Sequence, residues 1–331
     1  MGISSGSLAV NGVAEPVARA SSGVAGRGPR PYLPAMVSRR AVLLAPLGAL
    51  ACGRETTKGT TRKMPAEAPS VAGSPRMPVL FVGHGSPMNA IEDNAWSRAF
   101  KQLGRELPEP RAILCVSAHW YGEGSRVTGN ERPETLHDFG GFPEALQRVQ
   151  YPAPGDVALA KRVVQLLPGA SLNQDWGLDH GTWSVLCHVR PNADCPVLQL
   201  SIDARLPGRE HFALGRALAP LRDEGVLILG SGNIVHNLRD AFGRMRRGDQ
   251  QTPPWAAGFD ADAERALLQH DGAYLSRAHE DARGRDAHPT PDHYLPLLYA
   301  AGAAQPSDRV SFPIRGFDAG SLSMRAVRYD S

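Results

Sequence analysis

Cysteine is scarce in this chain, and its spacing forms no recognisable framework. The 331 residues include four cysteines, and no two of them are arranged as CxxC. The sequence therefore carries no sign of a thiol-ligated zinc site or of a disulfide scaffold. Cys115 lies inside an apolar run typical of a strand, so we expect a small buried residue there rather than a nucleophile.

An excess of charge of one sign is also missing from most of the chain. Of its 36 lysines and arginines and 33 acidic residues, ten basic but three acidic side chains fall in residues 1–76. Residues 77–331 consequently carry a net charge of −4, from 26 basic and 30 acidic side chains. Such a mildly acidic body offers no electrostatic footprint for DNA or RNA, so no nucleic-acid partner is expected.

The apolar run at residues 41–51 is too short to cross a bilayer. It fits the hydrophobic region of an export signal, which we assign to residues 36–53. Arg39 and Arg40 precede it and suggest the twin-arginine route, which carries folded proteins. Cys52 follows Ala-Leu-Ala in a loose lipoprotein-like box, so a lipid on Cys52 would tether the protein to a membrane. The alternative is a chance apolar patch behind a wrongly assigned start.

Residues 1–76 are predicted to form a leader that precedes the folded body of the protein. Residues 1–35 lack periodicity, which predicts disorder, and residues 53–76 are polar and predict a tether. Translation starting at or before Met36 favours an exported, periplasmic protein, whereas a start at Met77 would leave the protein cytoplasmic.

Residues 77–331 alternate between strand and helix patterns. Apolar, β-branched runs predict strands at 77–83, 111–118, 195–202 and 225–232. Amphipathic segments predict helices at 94–103, 156–167, 211–222, 260–270 and 291–301, the last with Thr290 as cap and Pro291 in its first turn. This alternation predicts a single α/β domain with a mostly parallel central sheet flanked by helices.

Several histidines fall where these strands end, which is where open α/β sheets bind ligands. His84 follows the first strand between two glycines that allow a sharp turn, and His119 follows the second. His236 comes shortly after the fourth strand, in the expected first turn of a helix, and His293 opens the last helix. Three or four imidazoles without a thiol suit zinc or iron(II), and a site with three ligands keeps open positions for catalysis. Hydrolase and oxygenase chemistry are equally compatible with this pattern.

The remaining histidines lack that setting. His188 is expected inside the protein or on a helix, and His211, His270 and His279 are expected at solvated helix positions. His137 lies in a glycine-containing loop that could border a pocket, and His180 lies in "DWGLDHGTW". Four aromatic residues could line an apolar pocket, although each taken singly is a typical core residue: Trp120, Phe139, Phe142 and Trp183.

Nine motifs, in order from about Met77 to about Val327, resemble the 4,5-DOPA extradiol dioxygenase family, a branch of the class III, LigB-like ring-cleavage dioxygenases. They are "GHGSPM", "SAHW", "HDFGGFP", "YPAPG", "WGLDHGTW", "QLSID", "GSGNIVHNL", "TPDHYLPLLYAAG" and "GSLSM". The resemblance implies a LigB-like fold and the extradiol cleavage of a catechol by dioxygen to a ring-opened semialdehyde acid.

The resemblance also implies one iron(II) or zinc ion per chain, held by His84, His119 and His293. His236 is either a fourth ligand or the catalytic acid/base, and His180 contacts the substrate or its bound oxygen. Iron is expected for ring cleavage, because zinc has no accessible redox change. Relatives that cleave protocatechuate use a glutamate as third ligand. Here His293 stands in that place.

Two other functions remain as alternatives to a dioxygenase. One is a zinc-dependent hydrolase on the same scaffold, and the other is a non-catalytic binding protein like the Memo proteins, because a fold alone does not establish catalysis. The identity of the catechol, the native metal and the oligomeric state are not encoded in any motif found here.

Overall fold

Strands and helices alternate along residues 76–331, the part of the chain that the computed structural model describes. The strands are β1 (Val79–Gly83), β2 (Ala112–Gly122), β3 (Arg126–Thr128), β4 (Ser171–Asn173), β5 (Val197–Asp203), β6 (Val226–Gly232), β7 (Arg309–Ile314), β8 (Phe317–Asp318), β9 (Leu322–Ser323) and β10 (Ala326–Asp330). The α-helices are α1 (Ala95–Glu106), α2 (Glu144–Gln147), α3 (Val157–Leu166), α4 (His180–Val189), α5 (Gly208–Leu218), α6 (Leu238–Arg247), α7 (Pro254–Leu268), α8 (Gly272–Leu275), α9 (Ala282–Ala287) and α10 (Leu295–Ala303). Short 3₁₀ turns occupy Pro87–Ala90, Ala219–Arg222 and Pro291–His293.

Eight strands form one sheet in the order β4-β3-β5-β2-β6-β1-β10-β7. The four central strands, β5, β2, β6 and β1, are parallel to their neighbours in that group. Antiparallel pairs join β3 to β5, β1 to β10 and β10 to β7. The prediction of one α/β domain with a mostly parallel central sheet flanked by helices is confirmed.

The central strands are buried and largely apolar because both faces of the sheet are covered. Successive side chains of a strand point to opposite faces. Phe81 packs into the core that includes α5 and α10, whereas Leu80 and Val82 pack into the core that includes α1 and α4. Cys115 is fully buried in this second core, as predicted, and burial raises the pKa of its thiol. The parallel strands are thereby fixed in position, with their carboxyl ends at one edge.

Helix starts follow local chemistry in several places. Asn94 caps α1 by accepting hydrogen bonds from the backbone amides of Trp96 and Ser97, and the Ser97 hydroxyl accepts from the Asn94 amide. Thr290 was expected to cap the last helix, but its side chain makes no capping hydrogen bond. A 3₁₀ turn at Pro291–His293 intervenes instead, and α10 begins at Leu295.

Three further predictions differ from the structure. His119 lies within β2, which continues to Gly122 instead of ending at Ala118. His236 precedes the helix, because Asn237 caps α6, and His236 forms an isolated antiparallel bridge with Leu322. His211 is fully buried and not solvated, because α5 packs along the apolar helix α10.

The predicted leader lies outside the described residues up to residue 75. This applies to the disorder of residues 1–35, to the signal at 36–53 with its lipid tether on Cys52, and to most of the polar tether at 53–76. These features stay predictions. Within residues 76–331, no helix combines the length and apolar character that crossing a membrane requires.

Candidate active site

Five imidazoles gather at the carboxyl edge of the parallel strands. His84 follows β1, His119 lies near the end of β2, and His180 is the first residue of α4. His236 comes after β6, and His293 ends the 3₁₀ turn before α10. All five site histidines predicted from the sequence therefore meet in one cluster.

Close approach of the backbone brings two of these histidines to the sheet. A β-carbon on Gly232 would lie 2.1 Å from the carbonyl oxygen of His293, so only glycine lets the 3₁₀ turn reach the end of β6. The Asn233 amide then donates to the same oxygen at 2.9 Å. At the end of β1, Gly85 has a left-handed backbone with φ of 63°. Gly83 is needed for a different reason, since a β-carbon there would lie 2.5 Å from the carbonyl oxygen of Ser323.

The Nε2 atoms of His84 and His119 lie 3.2 Å apart. Two nitrogens bound to one ion at usual zinc–nitrogen distances and a tetrahedral angle are about 3.3 Å apart. The separation in the protein therefore suits two ligands of a shared ion.

Two further imidazoles lie beside this pair. Ligand atoms of His84, His119 and His180 all fall within 4.8 Å of one another. The ring centroid of His293 is 5.2 Å from that of His84 and 5.0 Å from that of His119. Within residues 76–331, His84, His119 and His180 thus form the donor set whose ligand atoms lie closest together, while the ring of His293 lies beside it. Neutral imidazoles suit zinc or iron(II), and the donor set fits the expected metal.

The hydroxyl of Ser231 determines the tautomer of His84. Ser231 Oγ donates its one hydrogen to the carbonyl oxygen of Gly181 at 2.5 Å. It also lies 3.0 Å from His84 Nδ1, towards which it can only accept. His84 therefore carries its hydrogen on Nδ1, and the lone pair on Nε2 is free to bind a metal.

Two carboxylates hold two of the other imidazoles in the same way, and one of these carboxylates also lies beside a third imidazole. Asp138 lies between His119 and His180, with its oxygens 3.2 Å and 3.0 Å from the respective Nδ1 atoms. Asp292 accepts from Nδ1 of His293. The hydrogen bonds to Asp138 and Asp292 leave Nε2 of His180 and of His293 without a hydrogen, as the outer hydrogen-bond partner of a metal-binding histidine does, whereas Asp138 and His119 lie within ion-pair distance only.

His236 differs from the other four. Its ring lies parallel to that of His293 within 6°, with centroids 3.4 Å apart. Neither ring nitrogen of His236 forms a hydrogen bond within residues 76–331. Since the lone pairs of an imidazole lie in the plane of its ring, two parallel stacked rings cannot direct them at the same ion. In this geometry, His236 and His293 are not both ligands of one metal.

Burial keeps His84, His119, His236 and His293 neutral at ordinary pH. Desolvation, reinforced by the neighbouring imidazoles, lowers the pKa of His84 and of His293 well below its usual value. Desolvation likewise lowers the pKa of His119 to about 3 and that of His236 to about 4. Their lone pairs are therefore available at neutral pH, which favours metal binding and proton acceptance.

Behind the imidazoles lies a buried polar network that sequence reasoning missed. Asp179 caps α4 and accepts from Ser117 Oγ at 2.7 Å and from Gln199 Nε2 at 2.6 Å. Burial raises the pKa of Asp179 to about 6, with the charge of Asp138 adding to this effect. The network fixes the start of α4, which carries His180.

The outer partners of the imidazoles were also missed. Asp138 stands inside "HDFGGFP", and Asp292 precedes His293 directly, so both lie in motifs already singled out. Ser231 lies in "GSGNIVHNL". Their position inside these motifs was the signal that could have identified them. The proximity of Asp138 to two histidines from other segments is visible only in three dimensions.

The aromatic residues divide between site and core. Phe139 contacts His180 edge to face, with centroids 5.5 Å apart, and Phe142 packs against Phe139. Trp183 is fully buried and its indole nitrogen donates to the carbonyl oxygen of Leu136, which makes it a core residue. Trp120 stacks on Trp176. Phe139 is thus the aromatic side chain that borders the imidazoles.

His137 donates from Nε2 to the carbonyl oxygen of Val149 and supports the loop that carries Phe139.

Comparisons with known proteins show which family this chain resembles. The sequence profile of the family described as the catalytic LigB subunit of aromatic ring-opening dioxygenase matches residues 78–318. A protein of Escherichia coli K12 named 4,5-DOPA dioxygenase extradiol is 46% identical over 275 residues, which are 78% of this chain and 96% of that protein. A Beta vulgaris protein of the same name is 40% identical over 263 residues, 76% of this chain and 96% of its own length. The crystal structure of an uncharacterized E. coli K12 protein superposes with a TM-score of 0.67 at 43% identity, covering 76% of this chain and 99% of that one.

Proposed function

The chain belongs to the LigB family of aromatic ring-opening dioxygenases, and from this membership we propose that it cleaves the ring of a catechol beside its two hydroxyl groups. Dioxygen is the second substrate, and a ring-opened semialdehyde acid is the product. The observation that carries the proposal is the convergence of five imidazoles, with Nε2 of His84 and Nε2 of His119 3.2 Å apart.

His84, His119 and His293 are the proposed metal ligands. Ser231 and Asp292 accept from Nδ1 of His84 and of His293, which leaves Nε2 as the donor atom, and Asp138 Oδ2 lies 3.2 Å from Nδ1 of His119. An iron(II) ion held by these atoms would supply the redox change that allows a catecholate to react with dioxygen, whereas zinc would not.

His236 is the proposed base for a catechol hydroxyl. The stack of His236 on His293 argues against joint ligation, and the free nitrogens of His236 are not engaged by the described part of the protein. Burial lowers the pKa of His236 to about 4, so the imidazole is neutral at pH 7 and can accept a proton. It can return this proton later in the reaction.

His180 is the proposed proton donor to the oxygen of the reacting substrate. Its Nδ1 is held by Asp138, and its ring centroid lies 3.8 Å from that of His119. Because Nδ1 donates to Asp138, Nε2 of neutral His180 carries no hydrogen, so His180 would first take up the proton of the second catechol hydroxyl on Nε2 and then donate it to the oxygen. Phe139 covers one edge of the His180 ring and limits access of water from that side.

The substrate class follows from the names of the relatives. Two relatives that match over most of their length are named 4,5-DOPA dioxygenase, so L-DOPA is the proposed first substrate to test. Caffeate, protocatechuate and plain catechol differ in the group opposite the diol, so comparing them would define the substrate preference of the protein.

Oxygen consumption tests the proposal directly. Protein loaded anaerobically with iron(II) is given each catechol in turn, and zinc-loaded protein serves as the control. We expect oxygen uptake and a new yellow absorbance with at least one catechol, with iron alone. No uptake from protein that retains its metal would overturn the proposal, and hydrolysis of an ester or amide by the zinc form would then support a hydrolase.

A further inference from the structure

Helix α6 exposes a row of apolar side chains to solvent. Seven large apolar side chains are exposed in residues 76–331, and three of them lie on this one helix. Leu238, Phe242 and Met245 are 42%, 52% and 56% exposed. Because they are spaced by four and three residues, they lie on one face of α6. We call these three residues the α6 stripe.

The helix is attached to the rest of the protein through its other side. Ala241 is 1% exposed and packs with Ala319 and Leu322 in a small apolar cluster. Asn237 caps the start of the helix with its side chain, and Gly248 ends it in a left-handed conformation. The α6 stripe is therefore the outer surface of a well-anchored helix.

Arginines without ion-pair partners adjoin the stripe. Residues 238–248 contain four arginines and one carboxylate, a net charge of +3, although residues 77–331 as a whole carry −4. Arg244 pairs with Asp240 and Asp249. The other three arginines are exposed and form no ion pair within residues 76–331: Arg239, Arg246 and Arg247. This face of α6 is thus a local basic surface on an acidic body.

Charge distinguishes between the possible occupants of this surface. An α6-to-α6 contact between two copies of the chain would bring two sets of unpaired arginines together, and like charges oppose association. The leader carries the same sign of charge, with ten basic and three acidic side chains in residues 1–76. An anionic partner is the one that complements the arginines.

The size of the stripe favours a membrane over an acidic protein. Three half-exposed side chains offer an apolar area on the order of a few hundred Å². A standard protein interface buries about 800 Å² on each partner. A lipid surface requires less, because attraction between arginines and anionic headgroups adds to the insertion of a few apolar side chains.

We propose that the α6 stripe and its flanking arginines dock the protein on an anionic phospholipid surface. Leu238, Phe242 and Met245 enter the boundary between headgroups and acyl chains, while the arginines contact lipid phosphates. Docking of this kind is peripheral and reversible, and it does not require a lipid on Cys52. Since α6 begins directly after Asn237, docking would hold the carboxyl edge of the sheet towards the lipid, whether or not the protein cleaves a catechol.

Vesicle sedimentation with the full 331-residue chain is the first test. One set of vesicles contains phosphatidylcholine alone, and the other contains about 30% phosphatidylglycerol. We expect at least tenfold tighter binding to the anionic vesicles, and weaker binding as salt is raised from about 0.05 to 0.5 M. Equal affinity for both vesicles would overturn the proposal, and binding to polyglutamate in that case would assign the surface to an acidic protein.

Variants of α6 separate its contribution from that of the basic leader. The pair Arg246→Gln with Arg247→Gln, and separately Phe242→Ser, should each weaken binding to anionic vesicles at least fivefold. The matched controls remove exposed side chains elsewhere: Arg209→Gln with Arg277→Gln for charge, and Leu268→Ser, at a residue 54% exposed on α7, for apolar surface. Both controls should bind within about twofold of the unmodified protein.

A tryptophan placed on the stripe reports the contact directly. Phe242→Trp should show a blue-shifted difference emission with anionic vesicles and quenching by brominated lipids, whereas Leu268→Trp should show neither. Anionic vesicle binding that is unchanged in both α6 variants, without a response of Phe242→Trp, would make the leader the contact and overturn the proposal. A dimer that Phe242→Ser dissociates in sedimentation velocity, with vesicle binding unaffected, would assign the stripe to a second copy instead. Should a serine or glutamine variant fail to fold by circular dichroism, the two tryptophan variants still decide.

Discussion

The imidazole rings of His236 and His293 lie parallel within 6°, with centroids 3.4 Å apart. Because the two rings are stacked, His236 and His293 cannot both point a lone pair at the same ion. Replacing His293 should therefore affect metal content, whereas replacing His236 should affect turnover.

Replacing His236 should affect catalysis more than metal binding. We expect His236→Ala to bind iron(II) within about threefold of the unmodified protein, while kcat falls by a factor on the order of 10²–10⁴, as is typical for the loss of an acid/base group. Metal content after dialysis and initial rates of oxygen uptake measure the two effects. His293→Ala is the matched comparison and should lose its metal. Loss of metal from His236→Ala instead would make His236 a ligand.

Adding one methyl group at the end of β6 should displace His293. A β-carbon on residue 232 would lie 2.1 Å from the carbonyl oxygen of His293, a contact that requires the backbone to move. We expect Gly232→Ala to lower zinc affinity at least tenfold. Gly258→Ala is the control, because a β-carbon there meets no atom within 4 Å, and it should leave zinc affinity unchanged. Equal affinity in both variants would contradict the role assigned to the close approach.

The stability of the metal-free protein should fall as the solution is acidified from pH 6.5. Burial lowers the pKa of His119 and of His288 to about 3, and that of His211 and of His236 to about 4. In the unfolded chain these side chains take up protons near pH 6.5, so between that pH and about 4 the unfolded state binds more protons. In this range, each of these histidines lowers the free energy of unfolding by about 1.4 kcal/mol per pH unit. Above pH 6.5 the full stability is retained.

Urea unfolding of the metal-free protein at pH 7.5, 6.0 and 5.0 measures this dependence. His288→Gln, which removes one buried imidazole, should show a shallower fall in unfolding free energy. A constant unfolding free energy over this range would show that the imidazoles do not remain neutral in the folded protein.

Removing one partner of the ion pair of Arg222 and Asp308 should strongly destabilise the folded protein. Both side chains are fully buried and their atoms Nη1 and Oδ2 are 2.6 Å apart, while Arg222 also donates to the carbonyl oxygens of Met77 and Ala303. Arg222→Met leaves the carboxylate buried and unpaired, so we expect a loss of about 3–5 kcal/mol in unfolding free energy. Chemical denaturation measures it, and the double variant Arg222→Met with Asp308→Leu should recover part of the loss. A single-variant loss below about 1 kcal/mol would contradict this account.

Sequence patterns anticipated the sheet and the convergence of the histidines for a clear physical reason. Continuous apolar runs identify strands covered on both faces, and β1, β2, β5 and β6 lie within a few residues of their predicted bounds. Residues that follow parallel strands necessarily meet at one edge. His84 was therefore placed correctly by local patterns alone, whereas His119 lies within β2, which continues to Gly122.

Contacts between distant segments account for what the patterns missed. His211 has the sequence setting of a solvated helix residue, and only the packing of α5 along α10 buries it. Asp138 acquires its partners because a loop, a strand and a helix start meet in space. The stack of His236 on His293 joins residues that lie on separate segments, so no local pattern encodes it.

The order of strands in the sheet also bears on how this protein acquires its metal during synthesis. The two strands that carry His84 and His119 are not neighbours, because β6 lies between them. A ribosome must therefore have released residues 226–232 before these two imidazoles can face one another, and His293 emerges later still. With the proposed ligands His84, His119 and His293, a chain that ends before the turn at Pro291–His293 lacks one ligand, so we expect stable metal capture only once the fold is complete.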